Sequence, residues 1–442
     1  MKNKIFKTYD IRGLSPEEVD PEIAYFVGRA FVSFLDEENP EIVVGRDGRE
    51  TSPDIFKNLK EGLIDSGARV FDIGIASTPL VNFAVCKYDH SGGIMVTASH
   101  NPPEYNGMKL IKRNGLQVYG KQIQGIRKII KKENFVDKEG DVKQVNPMPD
   151  YISHILSFGR DVHGLKVVVD YGNGVASVTG KKAFDNLDAE ILSLYDEVDP
   201  RFPNHLPNPE PKNMEILVKK VKEEEADLGI FFDGDGDRAF FVDDRGKIVY
   251  PDLLVSLLAE TELENSEEKK IYFDLRFSKI TPEKIAEAGG IPEKMRVGNP
   301  FYKEKLIEEG GLMGAELSGH IMHRDNYCID DGLFIAVKLI SFLSKKEKKF
   351  SDLIKPFKKY HQSREINMEV KNKDKTLNEV RQAFNHGENF EIDGVYVEFE
   401  DWWFNLRKSN TEDLVRLRLE ADTKKKLNKK REELIRIIKE VS

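Results

Sequence analysis

Short apolar runs that end in an Asp or Gly turn recur along the chain in three groups of three, with helical-looking stretches between them. The first group is EIVVGRDG (41–48), RVFDIGIASTP (69–79) and GGIMVTASHNP (92–102). The second is LKVVVDYGNG (165–174), AEILSLYDEVDP (189–200) and DLGIFFDGDGDR (227–238), and the third is KKIYFDLRFS (269–278), IPEKMRVGNP (291–300) and GLMGAELSGH (311–320). Strand and helix patterns in alternation predict βαβ units and largely parallel sheets. The last run of each group leads into an unusual polar loop: TASHNP, DGDGDR and ELSGH. Ligands of open α/β sheets sit beyond the carboxyl ends of the strands, so three such sheets can turn these loops toward one shared cleft.

Turn formers and charge runs interrupt this pattern at VNPMPD (145–150), at VDDRGKIVYPD (242–252), which reads as a hairpin, and from SKKEKKF (344–350) to His361. The divisions that follow are 1–150, 151–251, 252–362 and 363–442. The last piece differs in kind. DGVYVEFEDWWFNLRKSNTEDLVRLRLE (393–420) alternates apolar and polar residues as an antiparallel sheet with one wet face does. Leu427, Leu434, Ile438 and Val441 then mark the apolar face of a basic C-terminal helix. At about 150 residues per domain, the 442 residues hold roughly three domains with room for a smaller fourth.

Charge narrows the partners. Lys and Arg number 68 against 77 Asp and Glu, a net of 68 − 77 = −9, so no overall field draws in nucleic acid or an acidic membrane, and any anion site must be built locally. Cys86 and Cys328 lie far apart and outside any C-x-x-C pattern, which fits a reducing compartment. No apolar run approaches the roughly 18 residues of a membrane span, and the start MKNKIFKTYDIRG has no apolar h-region. The expectation is a soluble, cytoplasmic protein.

DGDGDR sets Asp233, Asp235 and Asp237 at alternate positions, and the glycines between them let the backbone curl until all three face one point. Carboxylates so close repel one another unless a cation offsets them. Hard oxygen ligands favour magnesium; a calcium loop would need Gly and Glu where Arg238 and Asp244 stand. The alternative is a solvated acidic turn. In TASHNP, Ser99 offers a hydroxyl nucleophile beside His100, with Lys109 further along the loop-like stretch HNPPEYNGMK, although Ser-His-Asn-Pro is also simply a good turn. ELSGH places Glu316, Ser318 and His320 at alternate positions, as groups that grip sugar hydroxyls do, or as a strand end with a Gly turn. LRKSNTED supplies Arg407, Lys408, Ser409, Asn410 and Thr411, a cationic, hydroxyl-rich turn able to hold a phosphate. Trp402 and Trp403 read as packing residues.

Together these motifs resemble the α-D-phosphohexomutases, most closely the phosphomannomutase/phosphoglucomutase branch. The likeness runs in order through YDIRG (9–13), GRDGR (45–49), TASHNPPEYNGMK (97–109), DGDGDR (233–238), GAELSGH (314–320) and RKSNTED (407–413), with FPNHLPNPE (202–210) ahead of the acidic loop. The resemblance implies four domains around one central cleft, three of related α/β topology with mainly parallel mixed sheets and a smaller C-terminal α+β domain with an antiparallel sheet. It implies a mutase that interconverts hexose 1-phosphate and hexose 6-phosphate, of mannose or glucose, as a monomer or dimer. Ser99 would carry the phosphoryl group, and Ser99, Asp233, Asp235 and Asp237 would hold one Mg2+, with Arg238 nearby. Lys109, Arg12 and His100 would serve proton handling and charge stabilisation. Glu316, Ser318 and His320 would bind the sugar, and Arg407, Ser409, Asn410 and Thr411 the idle phosphate. Hexose 1,6-bisphosphate would be intermediate and activator.

SNTE in the phosphate loop and EYNG before Lys109 match the hexose mutases better than the phosphoglucosamine mutases, which remain the second choice. Asn299 stands where the family often has His, Arg276 where Lys is common, and Asp413 where Pro is usual. Since Asn cannot exchange a proton near neutral pH, a phosphosugar-binding relative without turnover is a competing expectation, and a serine phosphohydrolase is a third.

Overall fold

The computed structural model describes residues 3–159, 162–409 and 414–441. They form two compact units, one lying within residues 1–249 and 318–351, the other within residues 250–317 and 352–442.

In the first unit, all six runs of the first two groups become strands. One six-stranded sheet runs Ile11–Leu14, Tyr105–Lys112, Gly92–Val96, Glu41–Arg46, Arg69–Ile75 and Asp141–Gln144. The pairs around Glu41–Arg46 are parallel, with Val43 level with Phe71 and Gly93, while Tyr105–Lys112 joins antiparallel. The second sheet runs Ile248–Val249, Ala239–Asp243, Leu228–Phe232, Leu165–Asp170 and Ala189–Leu194. The expected hairpin is present, Phe241 pairing with Val249 across a turn in which Gly246 N–H donates to the Asp243 carbonyl.

HNPPEYNGMK is not a loop throughout, as the sequence reading held: Tyr105–Lys112 is a strand, buried from Asn106 to Ile111. Burial on both faces removes the alternation that would have marked it. The Asn-Gly pair, which normally signals a turn, has another cause here. Gly107 lies against the neighbouring strand, where a Cβ would come within 2.2 Å of the Ile11 carbonyl oxygen.

In the second unit, Ile291–Met295, Lys270–Asp274 and Met313–Ala315 pair in parallel in that order. The C-terminal part is an antiparallel sheet of His361–Gln362, Leu414–Ala421, Trp402–Lys408, Val395–Glu398 and Glu388–Phe390, with Ile366–Glu369 also paired to Leu414–Ala421. Helix Lys424–Val441 sends Leu427, Leu434 and Ile438 into this core, while Val441 is only half-buried. Both tryptophans pack: Trp402 stacks on Phe399, and Trp403 donates from Nε1 to Glu420 Oε1 at 3.0 Å.

Helices Pro21–Leu35 and Ser52–Ile64 of the first unit approach so closely that only glycine fits at the crossing. A Cβ on Gly62 would stand 2.0 Å from the Tyr25 carbonyl oxygen, and one on Gly28 2.5 Å from that of Leu59. Alanine is the better helix former by about 1 kcal/mol, but overpacking costs about 1–3 kcal/mol and the obstructing atom here is backbone. Gly62→Ala is therefore expected to lower the urea midpoint. Gly125→Ala, in helix Lys121–Lys132 where nothing lies within 4 Å of a new Cβ, should raise it. A Gly62→Ala midpoint at or above that of the parent would contradict the crossing.

Candidate active site

Strand Gly92–Val96 ends in Thr97-Ala98-Ser99, and the backbone turns there because Ser99 adopts φ 52°. Its N–H donates to Thr97 Oγ1 at 2.9 Å, and its hydroxyl is held among buried groups. Ser99 Oγ lies 3.2 Å from His100 Nδ1 and donates to Asp233 Oδ2 at 3.3 Å. Sequence separation between these last two is large, so only the fold makes this contact.

The acidic loop joins the antiparallel strands Leu228–Phe232 and Ala239–Asp243. It closes on itself. Asp233 N–H donates to the Arg238 carbonyl, and Asp233 Oδ1 accepts from the N–H groups of Gly236 and Arg238 at 3.1 and 3.2 Å. Gly236 takes φ 77°, which a side chain would disfavour. Asp233, Asp235 and Asp237 are all buried, each with a carboxylate oxygen within 4.8 Å of the others.

Two cations offset this charge. Lys109, brought in by its strand, donates from Nζ to Asp235 Oδ2 at 2.5 Å and to Asp237 Oδ2 at 2.6 Å. Arg238 Nε donates to Asp233 Oδ2 at 2.8 Å. Burial opposes the charge of Lys109, but the three aspartates outweigh it and hold the ammonium above its ordinary pKa. Burial pushes Asp233 up to about 7, against the pull of Arg238 and with the repulsion of Asp237 and Asp235. Asp235 is driven the other way, because Lys109 and Thr78 outweigh the same burial.

The donor set fits a divalent ion. Asp235 Oδ1 and Asp237 Oδ1 are buried and without a hydrogen-bond partner among the described residues. Arg238 Nε at 3.8 Å and His320 Nδ1 at 3.9 Å approach Asp237 Oδ1, and a buried anionic oxygen without a hydrogen bond is costly unless something cationic meets it.

Arg12 donates from Nη1 to Asn101 Oδ1 at 2.7 Å and pairs with Asp10, beside the serine loop. Burial, with Arg238 and Arg12 adding to it, holds the His100 imidazole well below its usual pKa and so neutral. His320 is bound through Nδ1 to Asp330 Oδ2 at 2.7 Å. Burial disfavours its charge, yet Asp237 and Asp330 carry its pKa above the ordinary value. The Ser318 carbonyl accepts from Arg238 Nη1 at 3.4 Å, and Ser318 Oγ is buried without a hydrogen-bond partner among the described residues. All of these side chains belong to the first unit.

Thr78 and Asp330 are absent from the sequence reading. Thr78 opens helix Thr78–Lys87 and binds Asp235 twice, Oγ1 to Oδ2 at 2.5 Å and N–H to carbonyl at 2.9 Å. The only signal for it was Ser-Thr-Pro at a strand end, which reads as an ordinary helix start. Asp330 sits in IDDG, where the next residue, Asp331, is the N-cap of helix Gly332–Ser344 and draws the eye first.

The second unit holds Glu316, Arg407 and Ser409. Glu316 is buried, with Arg276 Nη2 3.4 Å from its Oε1. Arg276 grips Asp274 through Nε and Nη2. Glu365 is the hub of the cationic group, with its Oε2 3.0 Å from Arg407 and 3.4 Å from Arg276 and its Oε1 3.1 Å from Arg416. Burial would raise its pKa, but the three guanidiniums outweigh that and hold it below the usual value. Arg407 and Lys408 end strand Trp402–Lys408 instead of standing in a turn, and Asn410, Thr411 and Asp413 lie outside the described residues. Asn299 opens helix Asn299–Glu308 after Gly298. No helix among the described residues is long and apolar enough to cross a membrane.

Residues 3–137, 149–246 and 250–360 match the family domains described as "Phosphoglucomutase/phosphomannomutase, alpha/beta/alpha domain" I, II and III, and residues 365–437 match the family's C-terminal domain. The chain is 37% identical over 432 residues to a phosphomannomutase/phosphoglucomutase of Pseudomonas aeruginosa, covering 96% of this chain and 93% of that protein. It is 38% identical to a phosphomannomutase of Vibrio cholerae, covering 99% and 98%. The crystal structure of a phosphoglucomutase/phosphomannomutase family protein from Burkholderia thailandensis superposes with a TM-score of 0.93 at 33% identity, over 100% of this chain and 98% of that one. Alike from end to end in sequence and fold, with a serine, an acidic loop and a lysine assembled as described, the chain belongs to the phosphoglucomutase/phosphomannomutase family of phosphohexomutases.

Proposed function

We propose that the protein interconverts hexose 1-phosphate and hexose 6-phosphate, of mannose or glucose, by way of a phosphoryl group carried on Ser99. The observation that carries this reading is the hydroxyl of Ser99 3.3 Å from Asp233 while Lys109 spans Asp235 and Asp237. One Mg2+ ion would be held by Asp233, Asp235, Asp237 and the Ser99 group, and when bound it supplies positive charge to phosphoryl oxygens.

Phosphoryl transfer needs in-line positioning and positive charge on the equatorial oxygens more than covalent help from the protein. Lys109 and Arg238 provide two fixed charges at the acidic loop, and Arg12 a third beside the serine loop. A buried site makes these worth more than they would be in water, and excluding water protects a serine phosphate from hydrolysis. Phospho-Ser99 gives its group to the free hydroxyl of the sugar phosphate, the hexose 1,6-bisphosphate turns around, and its other phosphate returns to serine. His100, held neutral against Ser99 Oγ, can accept the serine proton on that return. His320, oriented by Asp330, is suited to move the proton of the sugar hydroxyl. In the second unit, Glu316 binds sugar hydroxyls, and Arg407 and Ser409, with Asn410 and Thr411, bind the idle phosphate. Two cysteines far apart in the chain, Cys86 and Cys328, fit a reducing compartment and action in the cytoplasm.

Two outcomes are expected. In a coupled assay on glucose 1-phosphate and mannose 1-phosphate, primed with a trace of the 1,6-bisphosphate, Ser99→Ala should lose at least about a thousandfold in kcat yet still bind sugar phosphate by calorimetry. Parent activity no higher than that of Ser99→Ala would sink the mutase reading, and free phosphate appearing faster than isomer would select a phosphohydrolase. Chelation with EDTA should silence the enzyme and added Mg2+ restore it, whereas Asp235→Asn should need far more Mg2+ for half-maximal rate. Full activity of the chelated protein would refute the metal assignment.

A further inference from the structure

Arg49 ends the GRDGR segment and is 1% exposed. A guanidinium carries five N–H donors in one plane, and in Arg49 every one is used. Nε donates to Asp47 Oδ2 at 3.0 Å. Nη1 donates to the carbonyls of Pro102 and Tyr105 at 2.6 and 3.0 Å, and Nη2 to those of Ser99 and Asn101 at 2.9 and 2.7 Å. Four of the five acceptors are thus main-chain oxygens of the loop that carries Ser99. The fork is itself braced: Asp47 Oδ1 accepts from the Arg49 N–H and from Ser52 Oγ, and the Phe202 ring lies 5.1 Å from the guanidinium carbon.

Carbonyls of an irregular loop lack the regular partners of a strand or helix, and a buried polar group left unpaired is costly. One side chain reaches four main-chain carbonyls here, of which that of Pro102 also accepts from the Tyr105 N–H and that of Tyr105 opens a strand. Its effect centres on Ser99, whose carbonyl is confined from both sides. Arg49 Nη2 holds it on one side, and on the other lies Gly234 of the acidic loop, where a Cβ would come within 2.5 Å of the same oxygen. With carbonyl and N–H both fixed and φ at 52°, the Ser99 Cβ is set in place and χ1 alone is left to aim Oγ.

We propose that Arg49 is a positioning residue for phosphoryl transfer: by gathering four loop carbonyls it holds the Ser99 backbone in the left-handed conformation that aims Oγ at the acidic loop, without touching the substrate. This rests on the reading of Ser99 as the phosphoryl carrier. Lysine cannot take over, because it keeps the charge but offers three donors on a flexible stem instead of a planar fork of five. A reacting atom displaced by about 1 Å can cost about a hundredfold in rate.

The test compares Arg49→Lys and Asp47→Asn with the parent chain, each checked for folding by circular dichroism. Glucose 1-phosphate is the substrate, and the state of Ser99 is read by intact mass after loading with glucose 1,6-bisphosphate. Arg49→Lys should lower kcat about a hundredfold with KM little changed. Asp47→Asn, which removes the carboxylate that braces Arg49 but leaves the four bonds to main-chain carbonyls, should lower kcat by a smaller factor in the same pattern. In both, the loaded phosphate should pass to sugar more slowly while its loss to water is not slowed in proportion. A folded variant of either kind with parental kcat, or with kcat and KM shifted together, would overturn the proposal; if Arg49→Lys does not fold, Asp47→Asn decides alone. Absence of isomer from the parent chain would overturn the Ser99 reading itself, and this inference with it.

Discussion

Three carboxylates buried within reach of one another are the constraint around which the first unit is arranged. A single uncompensated carboxylate in such surroundings would be strongly unfavourable as an anion, and three would repel besides. Lys109 and Arg238 meet that cost only in part, leaving Asp235 Oδ1 and Asp237 Oδ1 without a hydrogen bond among the described residues. Such a group is suited to a cation, and a cation held by few protein ligands leaves room for phosphate oxygens.

The surrounding backbone answers to the same demand. The loop hydrogen-bonds to itself through Asp233 Oδ1, and Thr78 fixes Asp235 from a neighbouring helix start. Gly332 N–H donates to the Gly236 carbonyl, so the helix beginning there also braces the loop. Glycine is required at position 234 because the serine loop passes too close for a side chain. Small irregularities in two loops are thus held by rigid strand ends and helix starts, as placing a hydroxyl to a fraction of an ångström requires.

The second unit gathers guanidiniums. Arg276, Arg407 and Arg416 converge on Glu365, and Arg276 is held besides by Asp274. Glu365, Asp274 and Glu316 lie against these three guanidiniums, which sets several donors able to form charge-assisted hydrogen bonds close together. Arg276 also touches Glu316, so the residue that departs from the family's usual Lys adjoins the proposed sugar-binding carboxylate.

Much of this was legible in the residues alone. Each of the nine apolar runs formed a strand, because a short apolar run closed by an Asp or Gly turn has a local signature. The polar loops after them stood out because Gly, Asp, Ser and Pro act on the backbone within a few residues. Strand Tyr105–Lys112 was hidden, since burial on both faces erased its alternation and Gly107 mimicked a turn. Thr78, Asp330 and the hub at Glu365 were equally hidden, each ordinary in its own sequence context. Sequence by itself determined which groups the chain could offer: a hydroxyl, three carboxylates, a lysine and the arginines. Tertiary structure alone decided that Lys109 bridges Asp235 and Asp237, that Ser99 meets Asp233, and that Arg49 spends all five donors on Asp47 and the serine loop. Apart from Asp47, two positions from Arg49, those contacts join residues from 50 to 134 positions apart, and nothing local in the chain encodes a distance across the fold.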